Sequence, residues 1–439
     1  MSTRCRYFSR VILASGLLAS FFSRADELAL PQVTAAQFTL IRQHLYPFSA
    51  PYSGPLSVTA GGDTQATYTG GIYLGWQALS NTQFYLDIEK FDGSGISHST
   101  GLGSLTDGDA ERAGPQGLSQ RPYTARAYVR QLIPLGSERQ TVERAQDQLA
   151  GSEATEQLEF KAGMLASSDD FDRNRYAGGA RSQFMNWSFF NNTAWDFAAD
   201  TRGYTAGFML GWEHPLWAWR NGWYKMPVIA NGQALAALDQ ASEFDSELTL
   251  NLPQGLVIRA MIYRNWADMG TYATALALAH GSTPDILLTR KPDTTKTGWG
   301  LNMELPLADA GETGLFLRAG SNDGRTESFA FTEIDRQISA GMQLSGAHWY
   351  RSGDHVGLAY VIAGLSAEHA AYLRAGGLGF DLGDGRLNYA AEQAMECYYQ
   401  ANLPYGFSVS PDIQRLYNPG FNRDRGPMWV LGLRLHLQY

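Results

Sequence analysis

Cysteine is almost absent, with only Cys5 and Cys397 among 439 residues. Cys5 falls in a leader, so the mature chain can form no internal disulfide even in an oxidising compartment, and its stability has to come from hydrogen bonding and packing. Beyond residue 25 no run approaches the roughly 20 apolar residues that a transmembrane helix needs. Basic residues are outnumbered, 34 Lys and Arg against 43 Asp and Glu, which argues against nucleic acid as a partner. H-E-x-x-H, Walker A and G-x-S-x-G are missing, so no enzyme class or cofactor is indicated. No internal repeat or low-complexity linker divides the chain.

The leader is the first positive feature. Arg4, Arg6 and Arg10 form a basic segment, and Val11 to Phe22 is an apolar run too short to span a bilayer. Ser23-Arg24-Ala25 places small residues where a signal peptidase reads, so residues 1–25 are expected to be a signal peptide and the mature chain to begin near Asp26. Cleavage there removes four arginines and no acid, moving the formal net charge from −9 to −13.

Beyond the leader, apolar and polar residues alternate with a period of two. Trp429, Leu431, Leu433, Leu435, Leu437 and Tyr439 interleave with Val430, Gly432, Arg434, His436 and Gln438, one face for lipid and one for water. Phe84, Leu86 and Ile88 oppose Tyr85, Asp87 and Glu89, and Tyr123, Ala125, Ala127 and Val129 oppose Thr124, Arg126, Tyr128 and Arg130. A mean hydropathy of −0.25 is the value that averaging two such faces produces. The 47 Gly, 22 Tyr, 21 Phe and 11 Trp suit strands, turns and membrane interfaces. Sixteen such segments can be counted, from 37–45 to 428–439. Long connections (91–121, 165–201, 266–296, 364–391) alternate with short ones such as His214-Pro215 and Leu252 to Gln254. The pattern predicts an all-β, sixteen-stranded antiparallel transmembrane β-barrel of a Gram-negative outer membrane, a single domain over 26–439, with short periplasmic turns and long outer loops. The stretch 133–154 is long for a periplasmic turn. About ten residues precede the first strand, leaving no room for an N-terminal plug or coiled coil.

A sixteen-stranded barrel encloses an aqueous lumen that a loop must narrow if it is to select. The candidate is 165–201, which carries acids (Asp169, Asp170, Asp172), bases (Arg173, Arg175, Arg181) and aromatics (Phe184, Trp187, Phe189, Phe190, Trp195). Aromatic faces pack on the C–H side of a sugar ring while Arg, Asp and Asn exchange hydrogen bonds with hydroxyls. The expected pore-lining and solute-binding residues are Asp87, Glu89, Arg126, Arg130 and Arg202 from the wall, with Trp187, Trp195 and Asp196 from the loop; each aromatic could equally glue the loop to the wall. Asp170-x-Asp172-x-Asn174 resembles the opening of a calcium loop without its Gly and Glu, and no metal site is expected.

Thr193-Ala194-Trp195-Asp196-Phe197-Ala198-Ala199-Asp200-Thr201-Arg202-Gly203-Tyr204 resembles the central signature of the carbohydrate-selective outer-membrane porins of the OprB type. Phe331-Thr332-Glu333-Ile334-Asp335-Arg336, Gly364-Leu365-Ser366 with His369, and Asn418-Pro419-Gly420-Phe421-Asn422-Arg423-Asp424 agree with it. The resemblance implies passive diffusion of monosaccharides through a pore narrowed by inward loops. Some similar porins pass manganese, which makes a divalent-cation porin the alternative; an adhesin, receptor or surface enzyme is a remoter one. Implied partners are small hydrophilic solutes, outer-membrane lipid and the barrel-assembly machinery. Monomer and homo-oligomer both stay open.

The terminal strand is the element such machinery reads. Tyr439→Asp should therefore abolish the heat-modifiable band of folded protein in isolated outer membranes; normal amounts of that band would refute the assignment.

Overall fold

The computed structural model describes residues 30–109, 118–330 and 332–439; the expected signal peptide lies outside them. Among these residues eighteen strands form. They are β1 (Gln32–Leu45), β2 (Asp63–Leu79), β3 (Thr82–Asp92), β4 (Tyr123–Pro134), β5 (Arg139–Val142), β6 (Gly151–Ala154), β7 (Gln157–Leu165), β8 (Thr205–His214) and β9 (Trp217–Lys225). The second half holds β10 (Ser242–Asn251), β11 (Val257–Met269), β12 (Lys291–Ala308), β13 (Thr313–Asn322), β14 (Arg336–Ser345), β15 (His355–Gly364), β16 (Glu392–Asn402), β17 (Phe407–Tyr417) and β18 (Met428–Gln438). Sixteen of them pair antiparallel with their neighbours and close into a barrel, β1 sealing against β18 from Gln37 opposite Gln438 to Leu45 opposite Val430. Closure leaves no exposed edge, which is why a sheet can sit in hydrocarbon. No helix among the described residues is long and apolar enough to cross a membrane.

Strand alternation sorts the side chains as the pattern requires. Phe84, Leu86, Ile88, Phe208, Leu210, Ile262, Leu358, Ile362, Leu431 and Leu433 face outward and are exposed, while Asp87, Glu243, Asp245, Lys296, Arg318, Glu396 and Arg434 point inward and are buried. Tryptophans mark both rims: Trp212 packs on Trp217 beside a short turn, and Trp223 stacks on Trp266 near the long-loop end, the amphipathic ring suiting the interface. Two tight connections use the same device, Pro253-Gln254-Gly255 and Pro404-Tyr405-Gly406. In each a left-handed residue is followed by a glycine, at φ +78° and +74°, where a Cβ would strain the backbone.

The alternation breaks in informative places. Opposite β3 the register slips at Ala125, since Asp87 faces Arg126 but Ile88 faces Thr124. That β-bulge reverses the parity of the residues before it, so Tyr123, which the alternation placed with the lipid face, has its hydroxyl 3.4 Å from Glu89 in the lumen. β8 starts at Thr205, leaving Arg202 and Tyr204 in the loop before it. The stretch read as an over-long turn, 133–154, contains the hairpin β5–β6, which pairs only with itself.

Strand parity fixes which connections share a rim. An epitope placed near Ser282, in the loop 270–290, should bind antibody on intact cells, and one placed at Tyr405 should not until the outer membrane is permeabilised. The opposite labelling pattern would invert the barrel.

Candidate functional site: the occupied lumen

Residues 166–204 leave the wall after Leu165 and return at Thr205, and between those points they are tied to strands around the barrel. One such tie is Arg318 on β13, fully buried, whose Nε donates to Asp172 Oδ2 at 3.0 Å and whose Nη2 donates to the Asp172 carbonyl at 3.0 Å. Asp172 is further held by the Asn302 amide at 2.7 Å and by the backbone N–H of Asn192 at 2.7 Å. On β12, Lys296 pairs with Asp196 at 2.7 Å, and the same carboxylate accepts the N–H groups of Phe329 and Ala330, both at 2.9 Å. Glu396 on β16 accepts from Met185 and Asn186, and Arg434 on β18 donates to the carbonyls of Ala180 and Gln183. A loop full of backbone polar groups can fill a barrel only if such partners satisfy them.

The aromatics divide. Trp195 is fully buried and its indole N–H lies 2.7 Å from Glu243 and 3.1 Å from Asp245, so it anchors the loop to β10. Phe184 and Phe189 pack against each other, and Phe184 also packs against Phe316 and Tyr398 of the wall. The close approach of such rings depends on glycines in neighbouring strands: a Cβ at Gly298 would stand 2.3 Å from the Tyr263 ring, and one at Gly357 2.1 Å from that of Tyr398. Trp187 and Phe190, edge to face at 5.5 Å, line open space.

That open space is two adjoining cavities. The first, of about 380 Å³, is walled by Glu89, Asp109, Arg126, Arg181, Arg202 and Tyr204, with Trp187, Phe190 and Phe197. The second, of about 640 Å³, lies toward the short-turn rim beside Arg130, Glu159, Lys161, Glu213 and Arg220. Gln146, Ser168, Gly179, Phe190 and Asn191 border both and form the neck between them. In the first cavity the cations are held rigidly. Arg126 donates through Nε and Nη2 to Asp169 (2.6 and 2.8 Å) and through Nη1 to Asp87 (3.0 Å). Arg181 reaches Asp109 at 2.7 Å, Glu89 at 3.2 Å and the Tyr73 hydroxyl at 2.8 Å. Burial would lower the pKa of the Arg181 guanidinium, but Asp109 and Glu89 raise it well above its ordinary value, so it stays charged. The Arg202 guanidinium lies over the Tyr123 ring at 5.0 Å.

Of the residues expected from sequence, Glu89, Arg126, Trp187 and Arg202 share the first cavity, and Arg130 borders the second. Asp87 stands behind Arg126; Trp195 and Asp196 are anchors that border neither cavity. Asp170, Asp172 and Asn174, the calcium-like triplet, turn to Lys161, Arg318 and Asn302 respectively. Asp109 carries no signal in the sequence, and Tyr204, although it ends the signature motif, is not marked there as a cavity residue, because a site assembled from distant loops has no local spacing to betray it.

Replacing Arg318 with Met should free the loop, since removing one partner of a buried pair costs about 3–5 kcal/mol. We expect larger, noisier single-channel openings and a lower temperature of heat modification; unaltered openings would show that the loop is held elsewhere.

Comparison with known proteins supports the same reading. The family model described as carbohydrate-selective porin, OprB family, matches residues 76–439. No curated protein matches the chain significantly. Among solved structures, the high-pH structure of Pseudomonas putida OprB superposes with a TM-score of 0.66 at 13% identity, covering 93% of this chain and 94% of that one. Its low-pH structure scores 0.46 at 13% identity with both chains fully covered, and the Acinetobacter baumannii outer membrane channel DcaP scores 0.48 at 11% identity over 93% and 97%. At such identities the likeness is one of fold; the family match carries membership. The chain is a Gram-negative outer-membrane porin and belongs to the OprB family of carbohydrate-selective porins.

Proposed function

We propose that neutral, monosaccharide-sized solutes diffuse through the first cavity and its neck, and that the loop 165–201 is the constriction within a single barrel domain, 26–439, formed after removal of the signal peptide. The observation that carries this reading is the lining. Trp187, Phe190 and Phe197 offer ring faces for the C–H side of a sugar, while Arg126, Arg181, Glu89 and Asp109 stand beside them as fixed donors and acceptors. A volume of about 380 Å³ falls within the usual range of small-ligand sites. Glu89, Arg126, Trp187 and Arg202 are the proposed solute-contacting residues, Arg130 contacts solute beyond the neck, and Asp87, Trp195 and Asp196 act by positioning. The acids that would have to hold a hydrated divalent cation are engaged instead, Asp169 by Arg126, Asp170 by Lys161 and Asp172 by Arg318, which favours sugars over manganese. We assign the chain no catalytic role. Its exposed apolar belt is in contact with outer-membrane lipid, and its terminal strand is the substrate of the assembly machinery.

Two variants separate recognition from anchoring. Trp187→Ala with Phe190→Ala should raise the glucose concentration that half-blocks the ion current by about 3- to 10-fold, the loss of one ring contact of roughly 0.5–1.5 kcal/mol. Trp195→Phe should leave the block unchanged while lowering thermal stability, because Glu243 and Asp245 lose a donor, a cost of about 1–3 kcal/mol. Equal sugar block in all three proteins would remove the aromatic groups from the solute path.

A further inference from the structure

We infer that residues 135–156 form an acidic plug that folds into the barrel from the short-turn end and sets the charge selectivity of the passage; this rests on the channel reading above. The other connections at that rim are shorter, the longest being 346–354, and contain no strand, whereas this one closes a hairpin, β5–β6, and projects its tip inward. The tip is built and docked. Ala145 and Gln148 exchange two backbone hydrogen bonds of 3.1 Å, with Asp147 left-handed between them at φ 55°. Leu149 is buried beside Tyr85 and Tyr128, and its N–H donates to the Tyr85 hydroxyl at 3.2 Å. Arg144 lies over the ring of the terminal Tyr439 at 4.7 Å. Gln146 reaches the neck itself.

The plug's acids meet the wall's bases. Glu153 binds Arg130 through both carboxylate oxygens, the Nη2 contact being 3.0 Å, and Asp147 stands 3.7 Å from Arg126. Without the plug, Arg130 would keep Glu159 as its acid partner and Arg126 would keep Asp87 and Asp169. With it, the balance of the two cavities diverges. The first is lined by three guanidinium groups, Arg126, Arg181 and Arg202, against the carboxylates Glu89 and Asp109. The second is lined by four cations, Arg130, Lys161, Arg173 and Arg220, against seven carboxylates, two of them the plug's Asp147 and Glu153. The guanidinium groups of the first cavity are offset by their carboxylate partners, so an anion meets a region of its own sign in the second cavity, whereas an uncharged polyol meets no such barrier. An acidic region at one end of a narrow passage also lets ion current pass more readily in one direction than in the other.

The test is carried out on the full-length porin in planar bilayers under a KCl gradient. Asp147→Asn combined with Glu153→Gln keeps a polar side chain of the same shape at each position on the plug but removes its charge. The reversal potential should shift toward chloride and the asymmetry of the current–voltage curve should diminish. A second variant, in which residues 137–154 are replaced by a four-residue turn, should in addition conduct more than the parent. Parental reversal potential and asymmetry in the folded, conducting charge variant would overturn the proposal, as would unchanged conductance in the shortened one. The charge variant decides the matter if the shortened chain does not assemble. A parent protein that carries no current at all would defeat the channel reading instead, so the two failures are distinguishable.

Discussion

The ion pair between Arg318 and Asp172 is buried where wall and loop meet, and the placement of the loop inside the barrel depends on it and on its companions around the wall. Two charges removed from water cost several kcal/mol each unless their geometry and additional hydrogen bonds offset the loss. Here they do: Asp172 also accepts from Asn302 and Asn192, and Arg318 also donates to the carbonyls of Asp172 and Phe189. Lys296 with Asp196 repeats the arrangement on another strand. Each such pair is costly to break, so together they hold the loop against the wall and leave the two cavities as the space beside it.

The same pairing explains why lumenal charge does not leave the pore simply cationic or anionic. Arg126, Arg130 and Arg181 each bind at least two carboxylates. Their donors are held in place as oriented hydrogen-bonding groups, and the field they project is partly cancelled. For a solute with many hydroxyls and no net charge, preorganised donors and acceptors beside aromatic faces are the useful features. Electrostatic attraction at a distance is not.

Much of the barrel was legible from residue order. The sixteen segments counted by alternation correspond to the sixteen barrel strands, because in a membrane the two faces of a strand meet chemically opposite surroundings and the period of two is written in every pair of neighbours. The lumen-filling loop stood out through its length and its mixture of acids, bases and aromatics. The division of labour within it did not. Trp187 and Trp195 are eight residues apart and chemically identical, yet one borders open space and the other donates to Glu243.

Residue order by itself determined the class of fold, the strand count, the compartment and the family, all of which rest on local periodicity or contiguous motifs. Only the tertiary structure decided which distant groups face one another. The bulge at Ala125 turned Tyr123 inward by a single-residue slip that no pattern on one strand reveals. The hairpin at 139–154, which read as an over-long turn, brought Glu153 to Arg130 from 23 residues away. Arg181 found Glu89 across 92 positions of sequence. Charge pairing acts through space over a few ångströms, and barrel closure sets those distances without regard to order along the chain.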